Sequence, residues 1–414
     1  MNNPGKVLGI RANASQIMLQ LVQIFLVGLT VGMTRVVVPG MAESDFGLAA
    51  NSFVLLTSFV VVFGVIKALM NLMAGGLSER YGRKKVLVAG WLVALPIPFM
   101  LYWAPSWNWV VAATILLGLN QGLAWSMALN SKLDLAKTSQ KGLINGLNEF
   151  AGYAAVGLAG FITAVLVEPL GARLGLFVFS TVVIGSGLLL ALLTVKETRP
   201  WAELHDNDAA QPAEQTKKLT FLQLFKFASV QHRPLMALNQ AGLVEKFIDA
   251  LIWVFLPVFF VQQGLTLLQA GAIIAIYGLT WGSLQLVTGP LSDYIGRKGL
   301  IFWGMVMSGA SVLAIPLTTS IGLWSLELAL AGVGMAMLYP NLGAAVGDFS
   351  PTIARASLVG IYRFWRDSGY AIGALAMGLV AQWSNNMDVP FLFVGVSMLL
   401  SAVCLHFWLP STKK

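Results

Sequence analysis

The sequence predicts an all-α membrane protein, with twelve transmembrane helices in two pseudo-symmetric six-helix bundles. Three observations lead there. Apolar residues make up 57% of the 414 and charged residues 11%, with a mean hydropathy of +0.76; a soluble domain carries about 25% charged residues. Twelve long apolar runs follow one another with turn signals between them. A decapeptide then occurs twice, 214 residues apart, each time in a short charged break. The first copy runs Gly75-Gly76-Leu77-Ser78-Glu79-Arg80-Tyr81-Gly82-Arg83-Lys84, and the second Gly289-Pro290-Leu291-Ser292-Asp293-Tyr294-Ile295-Gly296-Arg297-Lys298. Such a repeat in so apolar a chain marks two homologous membrane halves, as in secondary transporters.

The apolar runs fall near 16–40, 50–74, 86–104, 109–131, 143–167, 175–196, 234–262, 268–288, 299–318, 322–346, 355–381 and 389–410. Each is long enough to cross a bilayer, which takes ~20 apolar residues. They must be helices, because lipid offers no partner to free backbone groups. A barrel would show ~10-residue alternating strands instead. The 214-residue offset persists beyond the decapeptide: Gly118 maps to Gly332, Asp134 to Asp348, Gly146 to Gly360 and Phe150 to Phe364. Two halves follow, residues 1–196 and 234–414, joined by a linker at 197–233.

The net charge of +8 is a topology signal. Lys and Arg concentrate at the N-terminus and in the even-numbered breaks, including Arg80, Lys132, Lys217 and Arg355, and Lys413 and Lys414 follow the last span. The opposite breaks hold only Arg173. This asymmetry places both termini and the linker in the cytoplasm, and no nucleic-acid partner is implied. A single cysteine, Cys404, excludes an internal disulfide and a cysteine metal cluster. The first run is too long for a signal-peptide core and reads as a retained span.

Within the linker, Trp201 to Lys218 is polar and reads as flexible. Leu219 to Val230 places Leu219, Phe221, Leu222 and Phe225 at helical spacings around Lys226. This predicts a short amphipathic helix on the membrane surface, against the alternative of an unstructured approach to span seven.

The two decapeptides resemble the loop signature of the major facilitator superfamily, roughly Gly-x-Leu-Ala-Asp-Arg-x-Gly-Arg-Arg between spans two and three. The resemblance covers the whole chain and implies two six-helix bundles around a central cavity, working by alternating access. Three positions depart from family patterns: Glu79 replaces the usual Asp, Gly118-Leu119-Asn120-Gln121-Gly122 lacks the fourth-span Arg, and no proline accompanies Gly152, Gly157 and Gly160.

Gly82 and Gly296 permit tight turns, and Gly75 and Gly76 permit close helix approach. The carboxylate of Glu79 or Asp293 can accept from Arg83, Arg297 or a helix N-terminus. The motif residues Gly76, Glu79, Arg80, Gly82, Arg83, Lys84, Asp293, Gly296, Arg297 and Lys298 thus read as a conformational latch, or else as topogenic charge and a turn.

Ionisable residues within spans are Arg35, Lys67, Glu149, Glu245, Lys246, Asp249, Glu327, Arg363, Arg366 and Asp367. A central charge costs about 2.5–3.5 kcal/mol on translocon scales, so these should face a cavity, the seam between halves or one another. Arg35 and Glu327 lie near span ends, where snorkelling is the alternative. Asn145, Asn148, Glu149 and Tyr153 form a polar stripe on span five, and Tyr362, Arg363, Arg366, Asp367 and Tyr370 form one on span eleven. The repeat maps Glu149 to Arg363 and Arg35 to Asp249, which implies cross-half pairing. Either these charges only fix packing, or a carboxylate titrates during transport while arginines hold an anion. Proton-coupling candidates are Glu149 and Asp367, then Glu245 and Asp249. Candidates for the solute site are Arg35, Asn120, Gln121, Asn148, Tyr153, Lys246, Trp253, Tyr277, Trp281, Tyr339, Arg363 and Arg366. Trp103, Trp107 and Trp109 read as an interfacial belt.

No phosphate loop, metal-ligand cluster or nucleophile elbow occurs in the sequence, so neither ATP, a cofactor nor a metal is implied and an enzyme is disfavoured. The reading is a proton-coupled transporter of a small organic, anionic solute, with a small-molecule solute, protons and the lipid bilayer as partners, acting as a monomer. Alternatives are proton-driven export of lipophilic cations, and a transporter-shaped solute sensor.

Overall fold

The computed structural model describes residues 7–49, 51–208, 220–351 and 354–410. The first half holds α1 (Ala14–Ser44), α2 (Phe53–Tyr81), α3 (Arg83–Tyr102), α4 (Trp107–Leu135), α5 (Thr138–Leu170) and α6 (Ala172–Leu193). The second half holds α7 (Arg233–Gln262), α8 (Leu267–Ile295), α9 (Arg297–Leu317) and α10 (Ile321–Asp348), then α11 (Arg355–Ser384) and α12 (Val389–Trp408). Ten of the twelve meet both the length and the apolarity expected of a membrane span. The other two, α7 and α11, are each 30 residues long but carry three charged residues apiece within the span, Glu245, Lys246 and Asp249 on α7 and Arg363, Arg366 and Asp367 on α11. Their polarity is a property of the seam they line, since α7 is buried on nearly every face.

Two antiparallel pairs join the halves: α2 with α11, and α5 with α8. Glycines set how closely they approach. A Cβ on Gly278 would lie 2.7 Å from the Cα of Gly157, and one on Gly64 would lie 2.5 Å from the backbone nitrogen of Ala371. A Cβ on Gly378 would meet Thr57 at 2.6 Å. Continuing the α2/α11 register would set Gly75 opposite Gly360, yet a Cβ on Gly75, Gly76 or Gly360 would meet nothing. The helices therefore splay towards the end that carries the linker. At the opposite end the halves are closed. There Trp253 of α7 stands edge-on to Phe59 and Phe63 of α2, with centroids 5.9 and 4.8 Å away. Phe53 also stacks on Phe255 at 6.3 Å, and Gln382 accepts the backbone N–H of Val54 at 3.2 Å.

Three placements correct the sequence reading. Lys132, taken as loop charge, lies inside α4 with 0% exposure, its ammonium donating to the carbonyl of Gln20 at 3.1 Å. Its run of apolar neighbours ends early, but the helix continues to Leu135. Trp107 is 5% exposed and donates to the carbonyl of Leu55 at 2.9 Å, so of the three belt tryptophans only Trp103 and Trp109 are exposed. The stretch taken as flexible from Trp201 begins as a helix, Arg199–Asp208. The Glu197 carboxylate starts it by accepting the backbone N–H groups of Thr198 and Arg199, each at 3.0 Å, as a helix N-terminus favours. Arg199 and Glu203 then pair at 3.8 Å along it.

The second linker helix forms at Phe221–Lys226, capped by Thr220 and Gln223, and ends in a π turn at Phe227–Gln231. Leu219 and the segment 209–219 lie outside the described residues. Phe225 packs on Phe364 and Trp365 of α11 at 5.7 and 5.9 Å, while Phe221, Leu222 and Val230 remain exposed. That division fits a helix lying along the membrane surface. His232 then caps α7, its imidazole accepting the N–H of Leu235 at 3.4 Å. Burial pushes the His232 pKa down from its ordinary value, which favours the neutral, accepting form.

Candidate functional site

Most of the buried charges gather along the seam between the halves. Asp249 of α7 receives Arg35 of α1 at 2.5 Å, and their side chains are 0% and 4% exposed. The Tyr370 hydroxyl of α11 donates to its second oxygen. Arg35 is therefore a cross-half partner and does not snorkel. Its guanidinium also lies over the Trp253 ring at 5.2 Å. Asp367 of α11 is equally committed. Arg366 grips it with Nε at 3.0 Å and Nη2 at 3.1 Å, Asn71 of α2 donates to it, and Lys67 of α2 stands 3.9 Å away.

Lys246 is held differently. Its ammonium has no hydrogen-bond partner among the described residues. It lies 3.4 Å from Glu245 and 3.8 Å from Asp249, and over the rings of Tyr339, Trp281, Tyr153 and Tyr370 at 4.6, 4.8, 5.4 and 5.4 Å. Tyr153 comes from the first half and stacks on Trp281 of the second, centroids 3.7 Å apart.

Below this layer a cleft faces the splayed end. It is lined by Lys67, Trp125, Glu149, Tyr339, Arg363, Arg366 and Asp367, with Asn71, Gln121 and Ser126. Trp125 closes a single π turn, Gln121–Trp125, within α4; such turns recur at functional sites. Glu149 accepts from Asn148 at 2.8 Å, and its other oxygen is buried without a hydrogen-bond partner among the described residues. Arg363 has no carboxylate partner among them. The repeat-equivalent pair Glu149 and Arg363 thus shares one cleft without forming the ion pair that the offset implies for Arg35 and Asp249.

Other candidates are not brought to the cleft. The Asn120 amide donates to the carbonyl of Gly90 at 2.9 Å and ties α4 to α3. Gln121 reaches the cleft edge but donates to the carbonyl of Val27 at 2.8 Å. Trp253 belongs to the closed end. Tyr277 lines a second small cavity with Arg35, Tyr153 and Trp281. Among the described residues no cluster of His, Cys, Asp and Glu has the makings of a metal site.

The decapeptides form the turns that glycine permits, with φ of 91° at Gly82 and 86° at Gly296. Arg83 does not take Glu79 as partner. It donates to Asp134 of α4 at 3.1 Å and to Ser78 at 3.1 Å, because the turn aims it across the bundle. Arg297 repeats this with Asp348 at 2.6 Å and adds Asp293 at 3.1 Å. Lys84 donates to the carbonyl of Leu192 at 2.9 Å, and Lys298 to that of His406 at 2.7 Å, each meeting the negative end of a helix. Glu79 and Arg80 are exposed. Glu197, which the sequence reading passed over, binds the turn from outside, accepting the backbone N–H groups of Arg83 at 2.9 Å and Lys84 at 3.1 Å. Its signal lay in an acidic residue directly after an apolar span.

A profile of the Major Facilitator Superfamily matches residues 21–241 and again 240–414. The chain belongs to the Major Facilitator Superfamily. It is therefore an integral, multi-pass membrane protein. Within the superfamily it is similar to the proton-coupled antiporter flippase LtaA of Staphylococcus haemolyticus, with 25% identity over 342 residues, 81% of this chain and 80% of that one. It is also similar to the quinolone resistance protein NorA of Staphylococcus aureus, with 26% identity over 155 residues, 36% of this chain. That match spans only 39% of NorA. Among solved structures, the nucleoside transporter NupG superposes with a TM-score of 0.75 at 12% identity, over 95% of this chain and 100% of that one. The D-xylose-proton symporter superposes with a TM-score of 0.72 at 17% identity, over 96% and 99%. Both likenesses concern the fold.

Proposed function

We propose that the protein is a proton-coupled secondary transporter of a small organic anion, working by alternating access. One observation carries this: Arg363 and Glu149 line the same cleft, the first without a carboxylate partner and the second with an oxygen unpartnered, among the described residues. Along the seam the basic side chains are Arg35, Lys67, Lys246, Arg363 and Arg366, against the carboxylates Glu149, Glu245, Asp249 and Asp367. The balance is one positive charge, carried by a guanidinium shaped to grip a carboxylate or phosphate in two places. Glu149 is the proton carrier in this reading and Asp367 a fixed anchor, because Asp367 is already bound by three residues. The proton-coupled antiporter flippase LtaA and the D-xylose-proton symporter support the coupling ion.

The cleft lies towards the linker end, and the distribution of Lys and Arg supports a cytoplasmic side for that end. Two six-helix units, residues 1–196 and 234–414, then rock about the seam as a monomer, with 197–233 as connector and the decapeptides as latch.

A second reading, proton-driven export of lipophilic cations, is favoured by the aromatic lining and by the resistance named for NorA. Thermal-shift screening of purified protein with small organic anions and lipophilic cations separates the two, since a ligand of the folded state raises apparent stability. Stabilisation by anions, lost in Arg363→Gln, supports the first reading. Stabilisation by lipophilic cations, lost in Glu149→Gln and kept in Arg363→Gln, replaces it with the second.

A further inference from the structure

The rings around Lys246 are more than packing. Tyr153, Trp281, Tyr339 and Tyr370 approach one ammonium from α5, α8, α10 and α11, with their centroids 4.6 to 5.4 Å away. All four side chains are buried, at 3%, 1%, 7% and 2% exposure. The enclosed charge makes no hydrogen bond among the described residues and sees two carboxylates, Glu245 at 3.4 Å and Asp249 at 3.8 Å. An ammonium faced by aromatic rings, with negative charge nearby and hydrogen bonds missing, has the recognition chemistry of a site for alkylated ammonium ions. A lysine that served only as an ion-pair partner would instead spend its three donors on oxygen atoms.

The box also lies on the path. Tyr339 lines the cleft below it, and Tyr153 and Trp281 line the small cavity beside Arg35. Because Tyr153 belongs to one half and the other three rings to the other half, rocking would open and close the box.

We propose that these four rings form a cage for compact organic ammonium ions and that Lys246 fills it from within, as a tethered cation that keeps cationic solutes out. Lys246 is then a specificity-determining residue for the solute path. The inference rests on the anion reading only in taking this seam as the route of the solute. Removing the side chain exposes a site with four rings and two carboxylates but no cation filling it.

The test uses full-length protein in detergent, with Lys246→Ala and Lys246→Gln as openings and Lys246→Arg as the filled control. Tetramethylammonium chloride is titrated against choline-free buffer of equal ionic strength, and binding is read from Trp fluorescence and from thermal shift. The expected result is saturable binding to Lys246→Ala or Lys246→Gln that is about tenfold or more tighter than to wild type and Lys246→Arg. It should be lost again when Tyr339→Ala is added. Equal affinity in wild type and the two opened variants overturns the proposal. Should neither opened variant fold, the wild type still decides. Among 13C-labelled lysines, one ε-methylene resonance, missing in Lys246→Arg, should be shifted upfield by the ring currents, and its absence overturns the cage. Stabilisation of wild type by organic anions, measured beside these, bears on the anion reading alone, so the two can fail separately.

Discussion

Arg35 and Asp249 are 214 positions apart, and their side chains meet at 2.5 Å. The two decapeptides are separated by the same interval. The bridge therefore joins a residue to the repeat image of its own position, across the axis relating the two halves. Breaking a buried pair strands a charge, at a cost of about 3–5 kcal/mol. Arg35→Ala and Asp249→Ala should each lower the thermal midpoint in detergent strongly. The exchange Arg35→Asp with Asp249→Arg should recover part of the loss, though not all, since Tyr370 and Lys246 also face Asp249. Additive loss in the double variant would show that the pair contributes no coupling.

Glu149 and Asp367 should part company when neutralised. Glu149→Gln should abolish solute accumulation driven by a pH gradient in proteoliposomes while leaving the thermal midpoint near wild type, because only Asn148 binds it. Asp367→Asn should destabilise instead, by roughly 1–3 kcal/mol, as Arg366 and Lys67 lose their shared anion. The reverse pattern would make Asp367 the coupling carboxylate.

The splayed ends of α2 and α11 give a kinetic prediction. The register set at Gly64 and Gly378 brings Gly75 opposite Gly360 once the linker end closes, although both now face open space. Gly75→Val or Gly360→Val should leave stability in detergent unchanged, because neither side chain meets anything in this state. Each should slow turnover by blocking the close approach that small residues allow. Normal transport rates in both variants would remove these glycines from the latch.

Glu197 holds four backbone N–H groups, those of Arg83, Lys84, Thr198 and Arg199. Glu197→Ala should cost about 1–3 kcal/mol, the range for stranding buried donors and losing helix caps. Glu197→Gln, which keeps one acceptor oxygen, should cost less. Thermal unfolding of the two variants side by side measures the difference.

The fold was legible because membrane helices announce themselves by length and apolarity, and because the decapeptides flag the duplication. The bridge between Arg35 and Asp249 was legible for the same reason, as the offset pairs them without any knowledge of packing. The box around Lys246 was not. Tyr153, Trp281, Tyr339 and Tyr370 sit on four helices, and helical spacing on one helix says nothing about which ring on another will meet it. Lys132 was misplaced because charge near a span end looks the same whether the helix stops or continues. Glu197 was missed because its partners are main-chain atoms, which leave no mark in residue types.

Gly157 and Gly278 bring two main chains together with no side chain between them, a Cβ on Gly278 lying only 2.7 Å from its neighbour's Cα. If the halves rock as proposed, a contact of that kind would work as a fulcrum. It would fix the point about which two levers turn and let their ends travel in opposite senses, so that opening one mouth of the protein would close the other. A residue with any bulk at this point would lengthen the distance between the levers and leave both mouths ajar, coupling the integrity of the permeability barrier to two hydrogen atoms.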